Sequence, residues 1–318
     1  MPRLTLAALA ILLAAPASAQ TYPDHPIRII VPTPAGGPVD VMARLVASAL
    51  PVALGQNIVV ENKPGAGNII GSKIAADAAP DGYTLTVSAA SGLIMSPMIY
   101  KNAGYDAESF APIALIAETP QLLVVNPQLP VKSVAELVAY AKANPGKLNY
   151  STGGVGTLPH LSAELFKKTA GVNIVHVPYK GGGPALLGVV AGEAQMTFDT
   201  VATSLPLARD GKLRVLAVVG PKRVAELPDV PTMREQGFAT ISTGAWTALL
   251  APKGTPPAIV AKLNAALNKA LAGEAMKSTL AKMGAQPRGG TPQELADHMA
   301  SETKKWKPIV AKLGLQAK

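Results

Sequence analysis

The stretch Ser151-Thr152-Gly153-Gly154-Val155-Gly156-Thr157-Leu158-Pro159-His160 decides the fold. A strand-like run over 148–151 leads into it, and a helical pattern over 158–170, ended by Gly171, leaves it. Strand, glycine loop and helix in that order are the unit of an α/β sheet. Two further stretches repeat the unit: Pro32-Thr33-Pro34-Ala35-Gly36-Gly37-Pro38-Val39-Asp40 and Pro178-Tyr179-Lys180-Gly181-Gly182-Gly183-Pro184-Ala185. A helix N-terminus presents unpaired N–H groups and a partial positive charge. Glycine lets an anion approach that backbone closely. The device stands in both halves of the chain, which implies an anion gripped from two sides.

Outward from these loops the α/β alternation continues. A strand is expected over 27–31, and a helix starts at Pro38 with Val39, Met42, Leu45, Val46 and Ala49 as its apolar stripe. Strands follow at 57–61 and 83–87, separated by a turn-rich loop and a helix near 69–78. The second of them ends in Ser88-Ala89-Ala90-Ser91-Gly92. Strands over 114–118 and 121–125 flank Thr119-Pro120. Ser133 and Glu136 form a capping box that opens a helix, stopped at Asn144-Pro145-Gly146. Strands at 174–177, 196–199 and 213–218 and a helix at 201–209 complete this half. The segment 245–250 reads as a strand crossing back, and three helices close the chain. The second ends near Gly284, and Thr291-Pro292-Gln293-Glu294 caps the third. The expected organisation is one lobe of 20–119 plus 239–318 and another of 120–238. Two crossing segments form a hinge with a cleft between the lobes.

Composition narrows the class. Arg3 is the sole charged side chain before the apolar run 4–15, and Ala17-Ser18-Ala19 follows as a small-x-small cleavage site. This is a secretory signal over 1–19, cleaved near Ala19/Gln20, and it implies a periplasmic protein. The run is far short of the ~20 residues that span a bilayer. The chain has no cysteine, which removes disulfides, thiolate catalysis and Cys-based metal sites. The net charge of +9 is spread over Lys residues without aromatic-basic clusters, which argues against nucleic acid. A basic balance instead raises the local anion concentration.

The candidate ligand-binding set is Thr33, Ala35, Gly36, Gly37, Ser88, Ser91, Thr152, Gly153, Gly154, Gly156, Thr157, Tyr179, Gly181 and Asp199. Gly156 is expected to meet a carboxylate through its backbone. Thr157 either donates its hydroxyl to the ligand or serves as a helix N-cap. Asp199 either receives a hydroxyl or amino group of the solute or caps a helix. Asp40 is better placed to pair with Arg44 at i, i+4 than to meet an anion. Lys180 reads as a solvated side chain, and His160 as a first-turn helix residue without a ligand role. No G-x-S-x-G, H-E-x-x-H or P-loop occurs, and His25, His160, His176 and His298 stand beside no acidic pair. The expectation is therefore no enzyme, no cofactor and no metal; a periplasmic hydrolase acting on a carboxylated or ester substrate is the alternative.

The chain resembles the Bug family, also called TctC-like, the periplasmic receptors of tripartite tricarboxylate transporters. The resemblance rests on motifs in sequence order. They are Pro34-Ala35-Gly36-Gly37 with Asp40 and Arg44, Glu61-Asn62-Lys63-Pro64-Gly65-Ala66-Gly67, and Pro80-Asp81-Gly82-Tyr83-Thr84. Gly153-Gly154-Val155-Gly156-Thr157 with His160 and Val177-Pro178-Tyr179-Lys180-Gly181 come next. Gly211-Lys212-Leu213-Arg214, Pro228-Asp229-Val230-Pro231-Thr232 and Ala251-Pro252 complete the series. The resemblance implies a two-lobed type II periplasmic-binding-protein (Venus-flytrap) fold. It implies a small organic acid, a di- or tricarboxylate, held by backbone amides, hydroxyls and water without cofactor or metal. It also implies delivery by a monomer to membrane permease subunits. The chain departs from the family at Thr33, where an aromatic residue is common, and at Gly188 and Ala194-Gln195, where acidic residues are common.

Overall fold

The structure, a computed structural model, describes residues 22–314 apart from 221, 242 and 243. The expected signal over 1–19 and its cleavage point lie outside the described residues. Two sheets form the frame. The first runs in the order β11 (Gln286–Gly289), β4 (Phe110–Thr119), β10 (Ala245–Pro252), β3 (Thr84–Ala89), β1 (Ile27–Val31), β2 (Ile58–Asn62). The second runs β7 (Val175–Pro178), β6 (Asn149–Thr152), β8 (Met196–Thr200), β5 (Gln121–Val125), β9 (Arg214–Val219). β1 is parallel to β2 and β3, with Ile30 opposite Thr86. β10 is antiparallel to both β3 and β4.

The sheets are joined at a crossing of two segments. β4 passes into β5 through Pro120, and the chain returns to the first sheet at Gly244 and Ala245. A Cβ on Gly244 would lie 2.8 Å from the Thr119 carbonyl oxygen, so the two segments touch backbone to backbone and the position admits no side chain.

Helices cover the sheets: α1 (Pro38–Ala49), α2 (Pro51–Leu54), α3 (Ile69–Ala76), α4 (Ser96–Ile99), α5 (Val134–Ala143), α6 (Leu158–Ala170), α7 (Gly182–Val190), α8 (Val201–Arg209), α9 (Pro257–Ala272), α10 (Glu274–Lys282) and α11 (Pro292–Leu313). On one face of the first sheet, Ile27, Ile29, Val31 and Val87 pack with Val39, Met42 and Val46 of α1 and Leu263 and Leu267 of α9. On the other, Ile30, Leu115 and Leu250 pack with Leu93, Ile99, Leu295 and Met299. Successive residues of a strand face opposite ways, and both faces are covered, so these strands read as unbroken apolar runs. The second sheet has its own core around Leu123, Val125, Tyr150, Phe166 and Phe198. Leu158 and Leu161 of α6 leave that core and join the cluster of the first sheet. Each such buried leucine contributes about 1.5–3 kcal/mol, so this contact ties the halves together.

Three differences from the sequence expectation bear on the frame. β4 begins at Phe110 rather than 114, because β10 pairs with it as far as Phe110↔Pro252. Residues 91–99 are helical, a π-helical turn over Ser91–Met95 running into α4, where no helix is expected. β11 is a short strand whose pairing with β4 (Gln286↔Glu118) is supplied entirely by tertiary contact. Among the described residues no helix is long and apolar enough to cross a membrane.

Candidate functional site

The first glycine loop joins β1 to α1. Gly36 has φ +79°, and its N–H is donated to Oδ2 of Asp40 at 2.8 Å. Asp40 is 2 % exposed and also accepts from Arg44 Nε at 2.9 Å and Asn62 Nδ2 at 2.9 Å. Burial works against its charge, but the Arg44, Gly36 and Asn62 hydrogen bonds outweigh it and hold the carboxyl below the usual range. The pairing expected of Asp40 and Arg44 is present. The Gly36 amide, expected to be open to a ligand, is occupied by Asp40. Asn62 further donates to the Thr33 carbonyl at 3.0 Å. α3 presses on this loop so closely that a Cβ on Gly71 would lie 2.6 Å from Cα of Pro32. Ala35 is exposed, and Gly37 stands at the N-cap of α1 in extended conformation.

Beside it, β3 ends at Ser88 and Ala89. The register Ile30↔Thr86 sets Ser88 one pleat further along, next to Pro32. Ser88 is 1 % exposed and its Oγ has no hydrogen-bond partner, and Thr33 Oγ1 is also buried without one. Buried hydroxyls are ordinarily paired, so two orphans at neighbouring strand ends point to a group that belongs there. Ser91 Oγ accepts from Asn68 Nδ2 at 3.3 Å. Asn68 (φ +79°) and Ala66 (φ +46°) hold left-handed conformations that non-glycine residues seldom adopt.

The second loop joins β6 to α6. Gly154 (φ +131°) and Gly156 (φ +81°) shape it. Thr152 is 1 % exposed; its Oγ1 lies 2.7 Å from His176 Nε2 and accepts from the Gly154 N–H at 3.2 Å. Thr157 occupies the N-cap position of α6, but its hydroxyl donates to the Gly154 carbonyl at 2.8 Å and makes no cap bond. The Gly156 N–H is donated to His160 Nδ1 at 3.3 Å. The expectation that this amide faces a carboxylate is therefore corrected. The amides of Gly37, Gly153 and Thr157 have no acceptor among the described residues. A Cβ on Gly156 would come within 3.2 Å of Ile99 Cδ1, so this loop meets α4 across the gap between the sheets.

Behind the loop, the His160 and His176 rings stack at 4.4 Å, and His176 stacks on Tyr150 at 4.8 Å. The Tyr150 hydroxyl and Lys167 Nζ both donate to Glu164 Oε1, at 2.5 and 2.6 Å. Burial pushes both histidines down, His176 to about 4, with the neighbouring His160 acting in the same direction on His176. Both are neutral at pH 7, and the Gly156 bond assigns the His160 proton to Nε2.

The third loop joins β7 to α7. A Cβ on Gly153 would lie 2.8 Å from the Gly182 amide nitrogen, so the second and third loops are in backbone contact. Gly181 (φ +116°) is the N-cap of α7. The Tyr179 hydroxyl donates to Glu193 Oε2 at 2.7 Å, and the ring occupies the space over Gly188. Any side chain at 188, an acidic one included, would strike the Tyr179 hydroxyl. Lys180 is exposed. Asp199, at the end of β8, accepts from Thr203 Oγ1 at 2.5 Å and Ser204 Oγ at 2.7 Å, and burial pushes its carboxyl up.

Sequence reading missed Asn62, Asn68 and His176, each of which props a loop. A turn-rich segment flagged the two asparagines, while nothing local flagged His176. Thr152 with His176 superficially resembles a nucleophile and base, but Glu164, the nearby carboxylate, is spent on Tyr150 and Lys167. Among the described residues no group of His, Cys, Asp and Glu could hold a metal.

Residues 42–315 match the family described as tripartite tricarboxylate transporter family receptor. The chain is 39 % identical over 312 residues to Protein BugT of Bordetella pertussis, covering 96 % of this chain and 94 % of that protein. A solved structure of Rpa4515 from R. palustris with adipate is 36 % identical with a TM-score of 0.87, over 92 % of this chain and 98 % of that one. MatC from Rhodopseudomonas palustris, with bound malate, is 35 % identical with a TM-score of 0.84, over 91 % and 100 %. The fold is the two-lobed α/β fold of the periplasmic binding proteins, and these relatives are solute-binding receptors rather than enzymes. The chain belongs to the tripartite tricarboxylate transporter receptor family.

Proposed function

We propose that this receptor captures a small aliphatic di- or tricarboxylate between a lobe of 20–119 plus 239–318 and a lobe of 120–238. The observation that carries the reading is the pair of orphaned hydroxyls, Thr33 Oγ1 and Ser88 Oγ, at the neighbouring ends of β1 and β3. The amides of Gly37 and, in the loop of the other sheet, of Gly153 and Thr157 have no acceptor among the described residues. Hydroxyl and N–H donors at helix N-termini, with no cation committed to the ligand, suit a carboxylate. The adipate and malate bound by the two relatives support the same chemistry. The ligand stabilises the closed arrangement through contacts it makes to both lobes at once. The monomeric receptor then hands it to the membrane permease subunits of its transporter, after export and cleavage near Ala19/Gln20.

A thermal-shift screen of organic acids tests the reading. A ligand at 100 times its Kd adds roughly 2.7 kcal/mol of stability. A rise in melting temperature with malate- or adipate-like acids is expected. A screen in which no carboxylate stabilises the protein, or in which an ester is turned over, would overturn the proposal.

A further inference from the structure

A second cavity, of about 390 Å³, opens beside the crossing segments. None of its lining residues belongs to the glycine loops or to the Ser88–Ser91 turn. It lies where β11 flanks β4 on the side away from β3 and β1, and β9 flanks β5 on the side away from β8 and β6. The volume falls in the range of about 300–1,000 Å³ typical of small-molecule sites.

The walls are mostly basic, with Glu118 as the acidic side chain among them. Lys222, Arg223 and Arg234 come from the half built on the second sheet, and Arg288 and His298 from the half built on the first. Arg223 is taken up by a fork to Glu235 at 2.9 and 3.1 Å. Arg288 Nε stands 3.7 Å from Glu118 Oε1, an ion pair too long for a hydrogen bond. Lys222 and Arg234 have no acidic partner among the described residues. An independent feature stands on the cavity wall. His298 Nε2 is buried and has no hydrogen-bond partner, while its ring meets Trp246 edge-on at 5.0 Å. A buried imidazole nitrogen left unpaired, on a wall that also carries Lys222 and Arg234, leaves room for a hydrogen-bonding group from outside the chain.

We propose that this cavity is a second binding site, taking a small multivalent oxyanion that Arg234 and Lys222 hold from one side of the hinge and Arg288 and His298 from the other. The arginine forks match the paired oxygens of a phosphate or carboxylate, and the imidazole adds a neutral hydrogen-bonding group. This site is independent of the carboxylate cleft.

Inorganic phosphate is the probe, titrated by calorimetry at constant ionic strength against chloride, since screening alone weakens surface charge. One saturable site is expected. The double variant Arg234→Ala/Arg288→Ala, whose fold is checked by circular dichroism, should weaken it at least tenfold. Ser88→Ala should leave it unchanged. In the wild type the His298 imidazole NMR signals should move with the same midpoint as the calorimetric curve. Absence of saturable binding, or binding that survives the double variant, would overturn the proposal. So would loss of binding on Ser88→Ala, because it places the phosphate among the glycine loops.

Discussion

The Gly156 N–H is bonded to His160 Nδ1 at 3.3 Å, and His160 is 4 % exposed. A loop that reads as a row of open amides is thus tied from within by the helix it introduces. Gly36 repeats the arrangement with Asp40. In both loops the residue four places on takes one amide, and what remains for a ligand is the N-cap amide and nearby hydroxyls. The side chains at 40 and 160 hold the loop shape, and on the proposed function this makes them positioning residues.

His160→Ala should therefore weaken ligand binding as well as stability. The Gly156 amide loses its acceptor in a buried setting, at a cost of about 1–3 kcal/mol. His160→Asn, which offers an acceptor oxygen, should recover part of the affinity. Titration of the two variants with the best ligand checks this. Equal binding by His160→Ala and wild type would show that the loop keeps its shape without the bond.

The same histidines make stability depend on pH. Burial holds His160 and His176 below the ordinary 6.5, His176 to about 4, with Glu164 pulling up and Lys167 down on both. Above pH 6.5 both are neutral whether the chain is folded or not. Between 6.5 and about 4 the unfolded chain takes up protons that the folded His176 refuses, so stability falls as pH falls through that window. The melting temperature should drop across it, and His176→Asn should flatten the drop. A wild-type profile flat from 6.5 to 4 would contradict this.

Gly156→Val should weaken binding by ~2 kcal/mol or more while the fold survives, because it would displace the neighbouring amides and hydroxyls of the loop. The reason lies in the meeting of the two halves. At φ +81° a β-branched residue is strained, and its Cβ would stand 3.2 Å from Ile99 Cδ1 before any further atoms are added. Gly156→Ala should be milder. Titration beside circular dichroism separates the effects, and wild-type affinity in a folded Gly156→Val would make this loop a mere turn.

Much of the frame was legible because its signals are local. The Pro38 start of α1, the Pro120 crossing and the Thr291–Glu294 capping box are each written within a few residues. β11 was not, because Gln286-Pro287-Arg288-Gly289 has no strand pattern and becomes a strand only against β4. The helical 91–99 segment was hidden by Ser, Gly and Pro, which read as a loop, while its burial against Leu158 and Trp246 overrides propensity. In the candidate site the loop positions were readable. The partners that occupy their donors were not, since Tyr179 with Glu193 and Thr152 with His176 are brought together only by sheet pairing and helix packing.

Ligand preference follows from what lines the first loop. Thr33 offers no ring to a ligand, and Tyr179 is engaged with Glu193 over Gly188. Tyr179 held in this way offers little stacking surface to an aromatic acid. Calorimetry should rank malate- and adipate-like acids above benzoate. The reverse order would mean that an aromatic side chain elsewhere reaches the cleft.

The orphaned hydroxyls give the most direct test of the site. Ser88 Oγ and Thr33 Oγ1 are buried without partners, so replacing them removes no bond of the unliganded protein. Ser88→Ala and Thr33→Val should leave the melting temperature of the free receptor unchanged or raise it slightly, because an unpaired buried hydroxyl is itself costly. On the proposed function each hydroxyl donates to a carboxylate of the ligand, and its loss should cost about 1.5–3 kcal/mol, tenfold or more in Kd. The ligand-induced rise in melting temperature should shrink accordingly. The two substitutions lie at neighbouring strand ends and share one ligand, so their combined effect should fall short of the sum. If both variants bind as tightly as wild type, the carboxylate does not lie against the ends of β1 and β3. Its site must then be sought among the amides of α6 and α7.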